Sequence, residues 1–571
     1  MYCGDETGSF IGDIGSHTAR FGYGGEDCPK YVVPSYVAEI EQQQQDDRLN
    51  KKKRFIPTSC YGGRWASNNN DNMPELKSVL RMADTTGIIE EQQQTVVDPV
   101  RYLQQGDCVQ DWNACEEQWQ AAFDALHVRN IRKHTTGIAE AKRTASGLKS
   151  TSTTAQSSTT AAGDGKCTHP ILAVSPGCTY RVGQNTPPPP SSSSTSPPSS
   201  SLEENSDGGC SASFRRTNKE LMQYTELLFE RLEAKAAFVA PTPQLAAFSV
   251  GRQTAVVVDV GAAGTRVTPV NDGLVLRQAQ RRSGRGGDWL SNVTWKAADD
   301  LVRLQEEKRG NKVSAEGANF LRPRYQLQRG RTKMTTAASA ATAARSGGGL
   351  FHRWAMQDLM FELRTSETVE LAPWSFNQAP AAPFQNNCTA KEKTAGENDK
   401  EDTAANAVTY ELPDGTILDL SSTSIGRDLR RVPELFFSDQ LPFPSSASSS
   451  SSSILAESAT LQDLPLHKLV HSALSAVSDV DVRKELASNI VLLGASSLYG
   501  NMDKRLSFEL ARTCSSAYKT KVVCPKFPVE RAAAAWIGGS VLTSLGSFQQ
   551  LWLSKAEYEE YGAALAIQRF P

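Results

Sequence analysis

The residues best placed to do chemistry fall in two copies of one short pattern. Phe10-Ile11-Gly12-Asp13-Ile14-Gly15-Ser16 leads into an extended stretch, Thr18 to Tyr23, and a Gly-Gly turn. Far along the chain, Val256-Val257-Val258-Asp259-Val260-Gly261-Ala262-Ala263-Gly264 leads into Thr265 to Val270 and the turn Asn271-Asp272-Gly273. Each copy predicts a strand, an Asp-x-Gly bend, a return strand and a turn. A tight glycine bend exposes consecutive backbone N–H groups, which hold phosphate oxygens as an anion nest. An aspartate just before the bend can hold Mg²⁺ through water, because that ion keeps part of its hydration shell. One such bend after a strand is a common structural turn. Two matched copies facing across a cleft would clamp a nucleoside triphosphate from both sides. A third element suits the same site: Ile490-Val491-Leu492-Leu493 reads as a buried strand ending in Gly494-Ala495-Ser496-Ser497, with a helix from about Met502. Strand, small-residue turn and helix is a recurrent geometry for nucleotide approach, though of low specificity by itself.

The elements that must position these residues alternate between strand and helix patterning, which predicts an α/β protein. Glu220 to Phe238 places Leu221, Tyr224, Leu227, Leu228, Leu232 and Phe238 at roughly helical spacing, and Thr254 to Val260 reads as a buried strand. Val541, Leu542, Leu545, Phe548, Leu551 and Trp552 form one helical stripe. Ser554 followed by Glu557 predicts a capping box that opens a last helix. Between these segments lie stretches that cannot build a core. Gln184 to Ser201 is proline- then serine-rich, Pro442 to Ser453 ends in serines, Asn386 to Asn406 is polar, and Thr335 to Gly349 carries only small residues. Glutamines cluster at 42–45 and 92–94, with asparagines at 68–70. The patterned segments between them are too short to be domains, so these stretches read as disordered surface insertions in one fold.

Composition narrows the class. Of 571 residues 39% are apolar, and the formal net charge is −2. Non-specific nucleic-acid binding needs a concentrated basic surface, so it is not the expected main activity. No run of 18 or more apolar residues appears, and Met1 to Phe10 lacks a signal layout. The 11 cysteines are odd in number and form no C-x-x-C pair, which suits reduced thiols in an intracellular protein. Smaller signals have plain readings. His467 and His471 lack the following Glu of a zinc protease, Arg285-Gly286-Gly287 is isolated, and the Asn292-Val293-Thr294 sequon has no secretory route. Lys51-Lys52-Lys53-Arg54 is either a solvated charge run or a nuclear localisation tetrapeptide.

The three phosphate-site elements, in this order, resemble the actin superfamily. Asp13 through Ser16, Gly24-Gly25-Glu26-Asp27-Cys28-Pro29-Lys30 and Pro34-Ser35 are similar to its first phosphate loop and continuation. Tyr410-Glu411-Leu412-Pro413-Asp414-Gly415 and Trp536-Ile537-Gly538-Gly539-Ser540 through Phe548-Gln549-Gln550 and Trp552 match further actin motifs. The resemblance covers about two-thirds of the chain, in blocks. Gly4-Asp5-Glu6, Gly25 to Lys30, His169 to Leu172, Thr225 to Glu230 and Leu545 to Gln550 are most similar to the nuclear actin-related protein 4 class, the actin-like subunit of BAF-type complexes.

The resemblance implies a two-lobed, duplicated ribonuclease H-like α/β fold of four subdomains. The first takes 1–34, 95–180, 213–256 and 522–571, the second 35–94, the third 257–300 and 409–521, and the fourth 301–408. Insertions fall near 181–212, 335–349, 378–407 and 442–453. It implies ATP and Mg²⁺ between the lobes, met by Gly15, Ser16, His17 and Arg20 on one side and Gly261, Ala262 and Ala263 on the other. Gly494, Ala495 and Tyr499 would lie at the nucleoside, and Asp13 and Asp259 would hold the metal through water. Departures from actin bear on turnover. Thr242 stands where actins place the glutamine that positions the attacking water, and Arg266 where they place a histidine of the same network. Arginine is no base near neutral pH, and lost water orientation can be worth several kcal/mol of barrier. Ala262 replaces a carboxylate, Ala495 a glycine, and His17 adds bulk. The expectation is therefore slow or absent hydrolysis, with ATP as a structural ligand.

The polar, poorly matching segment from Ser35 to Asp98 predicts poor filament formation. The resemblance instead implies a nuclear subunit of chromatin-remodelling and histone acetyltransferase complexes. It would sit beside actin on an amphipathic helix of a remodeller or acetyltransferase scaffold, with histones or the nucleosome as a further partner. Phe248, Leu542, Leu545 and Ser547 match the lining of the receiving groove, although Leu542 and Leu545 equally suit a plain core. The competing readings are an ATP-hydrolysing, filament-forming cytoskeletal relative, and a chaperone or sugar kinase of the same fold. The blocks at Tyr410 and Trp536 count against the last.

Overall fold

β1 (Phe10–Ile14) is buried along its whole length, as its apolar run requires of a strand covered on both faces. It pairs antiparallel with β2 (Thr18–Tyr23), which pairs onward with β3 (Tyr31–Pro34). On its other edge it runs parallel to β7 (Ile171–Ser175), and β7 runs parallel to β8 (Ala236–Pro241). A computed structural model describes residues 8–42, 52–55, 95–102, 104–105, 108–126, 169–175, 210–309, 321, 350–371, 408–439 and 463–571. The expected insertions at 335–349, 378–407 and 442–453 lie outside these residues, as do 181–209 of the first. The end of that first insertion belongs to α2 (Cys210–Glu226).

The second sheet repeats the first. β9 (Ala255–Val260) pairs antiparallel with β10 (Thr265–Asn271), which carries the short strands β11 (Leu274–Val275) and β12 (Arg281–Ser283). β9 also runs parallel to β15 (Ile490–Leu493), and β15 to β16 (Val522–Val523). Return strand, first strand, parallel strand, parallel strand is therefore the order in both sheets. β17 (Leu553–Ser554) closes the far edge of the first sheet on β8.

The chain passes from the first sheet to the second through α3 (Thr242–Ser249) and returns through α8 (Ala534–Thr543). These two crossings pack on each other. A Cβ at Gly538 would stand 1.8 Å from the carbonyl oxygen of Leu245, so only glycine permits this approach. Each lobe has its own core. Trp119 and Phe123 of α1 (Trp112–Ala125) fill one with Phe10 and Phe21. The other gathers α4 (Gly287–Lys308), α5 (Leu350–Arg364), α6 (Leu466–Ser475) and α7 (Met502–Thr513). Tyr410 lies on β13 (Thr409–Glu411), the hairpin partner of β14 (Ile417–Asp419).

Within the poorly matching segment from Ser35 to Asp98, β4 (Tyr36–Gln42), β5 (Lys52–Phe55) and β6 (Thr95–Tyr102) form a three-stranded sheet, and β6 lies against α5. Lys52 to Arg54 of the basic tetrapeptide are part of β5. Two element predictions need correction. Phe238 is a strand residue of β8: the helix ends through a wide turn at Leu227–Arg231, and Glu233 takes a left-handed φ of 53°. The stripe from Val541 to Trp552 is not one helix, because Leu545 is extended between α8 and a short 3-10 turn at Gly546–Gln550. The capping box at Ser554 is present and opens α9 (Lys555–Tyr561), although a further short helix, Leu565–Arg569, follows it.

Candidate functional site

The two Asp-x-Gly bends close in the same way. Gly15 N–H donates to the Thr18 carbonyl at 3.0 Å, and Gly261 N–H donates to the Gly264 carbonyl at 3.0 Å. These two glycines therefore use their own amides to shape the bends. An anion would be met by the residues that follow, Ser16 and His17 in one bend, Ala262 and Ala263 in the other. The second bend is tied down further. Its Gly261 and Ala262 carbonyls accept from Gly287 N–H and Asp288 N–H at the start of α4, each at 2.9 Å. Ser496 Oγ donates to Gly261 O at 3.3 Å, so the turn after β15 is bound to the bend.

Both bends open into one cavity of about 1010 Å³, large enough for a nucleotide. Its lining takes in Asp13, Gly15, Ser16, His17 and Arg20 from the first lobe. It also takes in Asp259, Gly261, Ala262, Ala263, Gly494 and Ala495 from the second. Thr242 and Arg266 line it too. Tyr499 does not: its hydroxyl accepts from Arg364 Nη1 at 3.2 Å, and Arg364 is the residue that reaches the cavity.

Gly494 is the residue that lets Asp259 stand where it does. Its φ is +91°, and a Cβ there would lie 2.6 Å from Asp259 Oδ1. Asp13 accepts from Arg20 Nη1 at 3.1 Å. Burial raises the Asp13 carboxyl above its ordinary range, Arg20 opposes that, and the facing Asp259 adds to it. Burial likewise raises Asp259, against the charges of Arg266 and Arg20. The charge of Asp259 reaching Asp13 from the other lobe marks the middle of the cleft. Thr242 opens α3, and its hydroxyl donates to the Ser175 carbonyl at 3.0 Å.

Sequence reasoning missed the α5 side of the cleft. Arg364 is 3% exposed, donates from Nε to Ser291 Oγ at 2.9 Å, and lies over the Phe361 ring. Phe361 stacks on His17, with ring centroids 5.3 Å apart. Burial and the charges of Arg364 and Arg20 push the His17 imidazole down to about 4, so it is neutral near pH 7. Burial pushes the Asp288 carboxyl up to about 6, against Arg364 and Arg353. The apolar spacing of Met356, Leu359, Met360 and Leu363 was a helical signal, but no motif tied it to the phosphate bends.

At the other end of the helix pair, Phe248 of α3 and Leu542 of α8 are half-buried against the first core. Leu545 is 49% exposed and Ser547 is exposed, while Val541 and Leu551 add exposed apolar surface beside them. Leu542 is thus partly core and Leu545 is not. The turn at Gly273 approaches the Phe248 ring. Among the described residues no helix is long and apolar enough to cross a membrane.

Comparison with known proteins agrees with this geometry. The family model for actin matches residues 4–186 and 210–571. A protein named actin-related protein 4 from Oryza sativa subsp. indica is 27% identical over 573 residues, covering 100% of both chains. One of the same name from Arabidopsis thaliana is 25% identical over 574 residues, again covering 100% of both. One from Yarrowia lipolytica is 26% identical over 575 residues, covering 100% of this chain and 97% of the relative.

Proposed function

The chain belongs to the actin family, and from that premise we propose that it is a non-motor, nucleotide-binding scaffold of nuclear chromatin-modifying complexes. Members of the family bind nucleotide with Mg²⁺. Here ATP would sit in the cleft between the two bends, which Asp13 and Asp259 line, and would be hydrolysed slowly or not at all.

One observation carries this reading. Thr242 and Arg266 line the same cavity as both aspartates, and neither offers the amide or the proton-accepting nitrogen that positions and activates water in the actin pattern. The Thr242 hydroxyl is already donated to Ser175. Arg266 presents a guanidinium, which has N–H donors and no acceptor. A ligand that binds only the closed fold then acts through linkage, stabilising it by RT ln(1 + [L]/Kd) without turnover. The nucleotide becomes part of the structure.

The resemblance to proteins named actin-related protein 4 supports an actin-related protein, and the nuclear assignment is part of the proposal. The half-exposed apolar strip at Leu542, Leu545 and Phe248 supports a helix-in-groove partner, with actin beside it on the same helix. Histones or the nucleosome would then be contacted through the assembled complex. Affinity purification of the tagged chain from nuclei tests this. Recovery of actin together with a large helicase or acetyltransferase scaffold subunit is expected. A homopolymer of this chain with no such subunits would reject the scaffold.

A further inference from the structure

The two hairpins repeat more than a bend. In each, the return strand sets an arginine directly opposite the aspartate: Asp13 faces Arg20 across β1 and β2, and Asp259 faces Arg266 across β9 and β10. Directly opposed residues on antiparallel strands share a face, with Cβ atoms about 5 Å apart. Arg20 Nη1 is 3.1 Å from Asp13 Oδ2, and both side chains are largely buried. The positive charge of Arg266 acts on the Asp259 carboxylate. Both arginines line the cavity onto which the bends open.

A divalent cation held through its water shell needs carboxylate oxygens turned to that shell. Asp13 instead answers a guanidinium in a charge-assisted bond. The second bend offers Ala262, which has no carboxylate to add. The aspartates therefore suit a metal poorly, whereas the arginines suit phosphate well. A guanidinium carries five N–H donors: Arg20 gives one from Nη1 to Asp13 and one from Nη2 to Thr18 Oγ1 at 3.0 Å, which leaves further N–H groups for phosphate oxygens.

We propose that this cleft takes a nucleoside triphosphate without a divalent cation, the guanidinium groups of Arg20 and Arg266 supplying the positive charge at the phosphates. The inference rests on the nucleotide reading above and narrows its ligand to the metal-free form. Each aspartate becomes the residue that fixes its arginine.

Titration calorimetry of the full chain with ATP, in excess MgCl₂ and in excess EDTA, tests it. Binding in EDTA is expected to be at least as tight as in MgCl₂, where most of the ATP is taken up as its magnesium complex. Arg266→His, checked for folding by its circular dichroism melt, is expected to weaken binding in EDTA by about tenfold or more. Arg266→Lys, which keeps the charge, is expected to stay closer to the parent. Binding that falls by more than about fivefold in EDTA overturns the inference but leaves the nucleotide reading standing. Absence of binding in both buffers overturns both.

Discussion

Gly494 and His17 show how single residues hold the cleft. A side chain at Gly494 would need an unfavourable φ of +91° and would press on Asp259 Oδ1 at 2.6 Å. Gly494→Ala is expected to lose roughly 1–3 kcal/mol of stability by denaturant titration, and to weaken nucleotide binding with it. His17 and Asp288 act on stability with opposite signs. The His17 imidazole is held down to about 4 from 6.5, so the unfolded chain binds the extra proton and stability falls as pH drops from about 6.5 to 4. The Asp288 carboxyl is held up to about 6 from 3.8, so the folded chain binds the extra proton and stability falls as pH rises through that window. The two effects offset each other between pH 4 and 6. Asp288→Asn is expected to steepen the loss toward acid in melts taken across this range. His17→Phe, which can keep the stack on Phe361, is expected to reduce it. Parallel pH profiles for both variants and the parent would contradict these assignments.

At the scale of elements, the capping box of α9 offers a clean measurement. Ser554 Oγ accepts from Glu557 N–H at 3.3 Å, and Glu557 Oε2 accepts from Ser554 N–H at 2.9 Å. Ser554→Ala is expected to cost about 1 kcal/mol, read as a lowered Tm. That box was legible in the sequence, as were both Asp-x-Gly hairpins, because each depends on residue types at fixed local spacing. What failed depended on distant contacts. Phe238 continues an apolar pattern that suits helix or strand, and its place in β8 follows from pairing with β7, far off in sequence. No glycine marks the preceding helix end, since Glu233 takes the left-handed turn itself. The Val541 to Trp552 stripe keeps helical spacing through Leu545, yet the backbone extends there. The α5 wall of the cleft was missed for the same reason: Arg364 meets Ser291 and Tyr499 only once three separate elements assemble.

For the whole molecule, the duplicated sheets explain why two distant aspartates share one cavity, and the α3–α8 pair joins the lobes beneath it. That joint also carries the proposed docking strip. Leu545 is 49% exposed, so Leu545→Asp is expected to change stability by no more than about 0.5 kcal/mol. It is expected to weaken capture of an amphipathic scaffold helix by about tenfold or more in a fluorescence polarisation assay. Unchanged capture would move the partner surface elsewhere. The central proposal is that the cleft hydrolyses ATP slowly or not at all, and single-turnover hydrolysis of radiolabelled ATP by the purified full chain tests it most directly. Phosphate release far slower than that of actin assayed alongside is the predicted result. Release at the actin rate, with Thr242 and Arg266 in place, would contradict it.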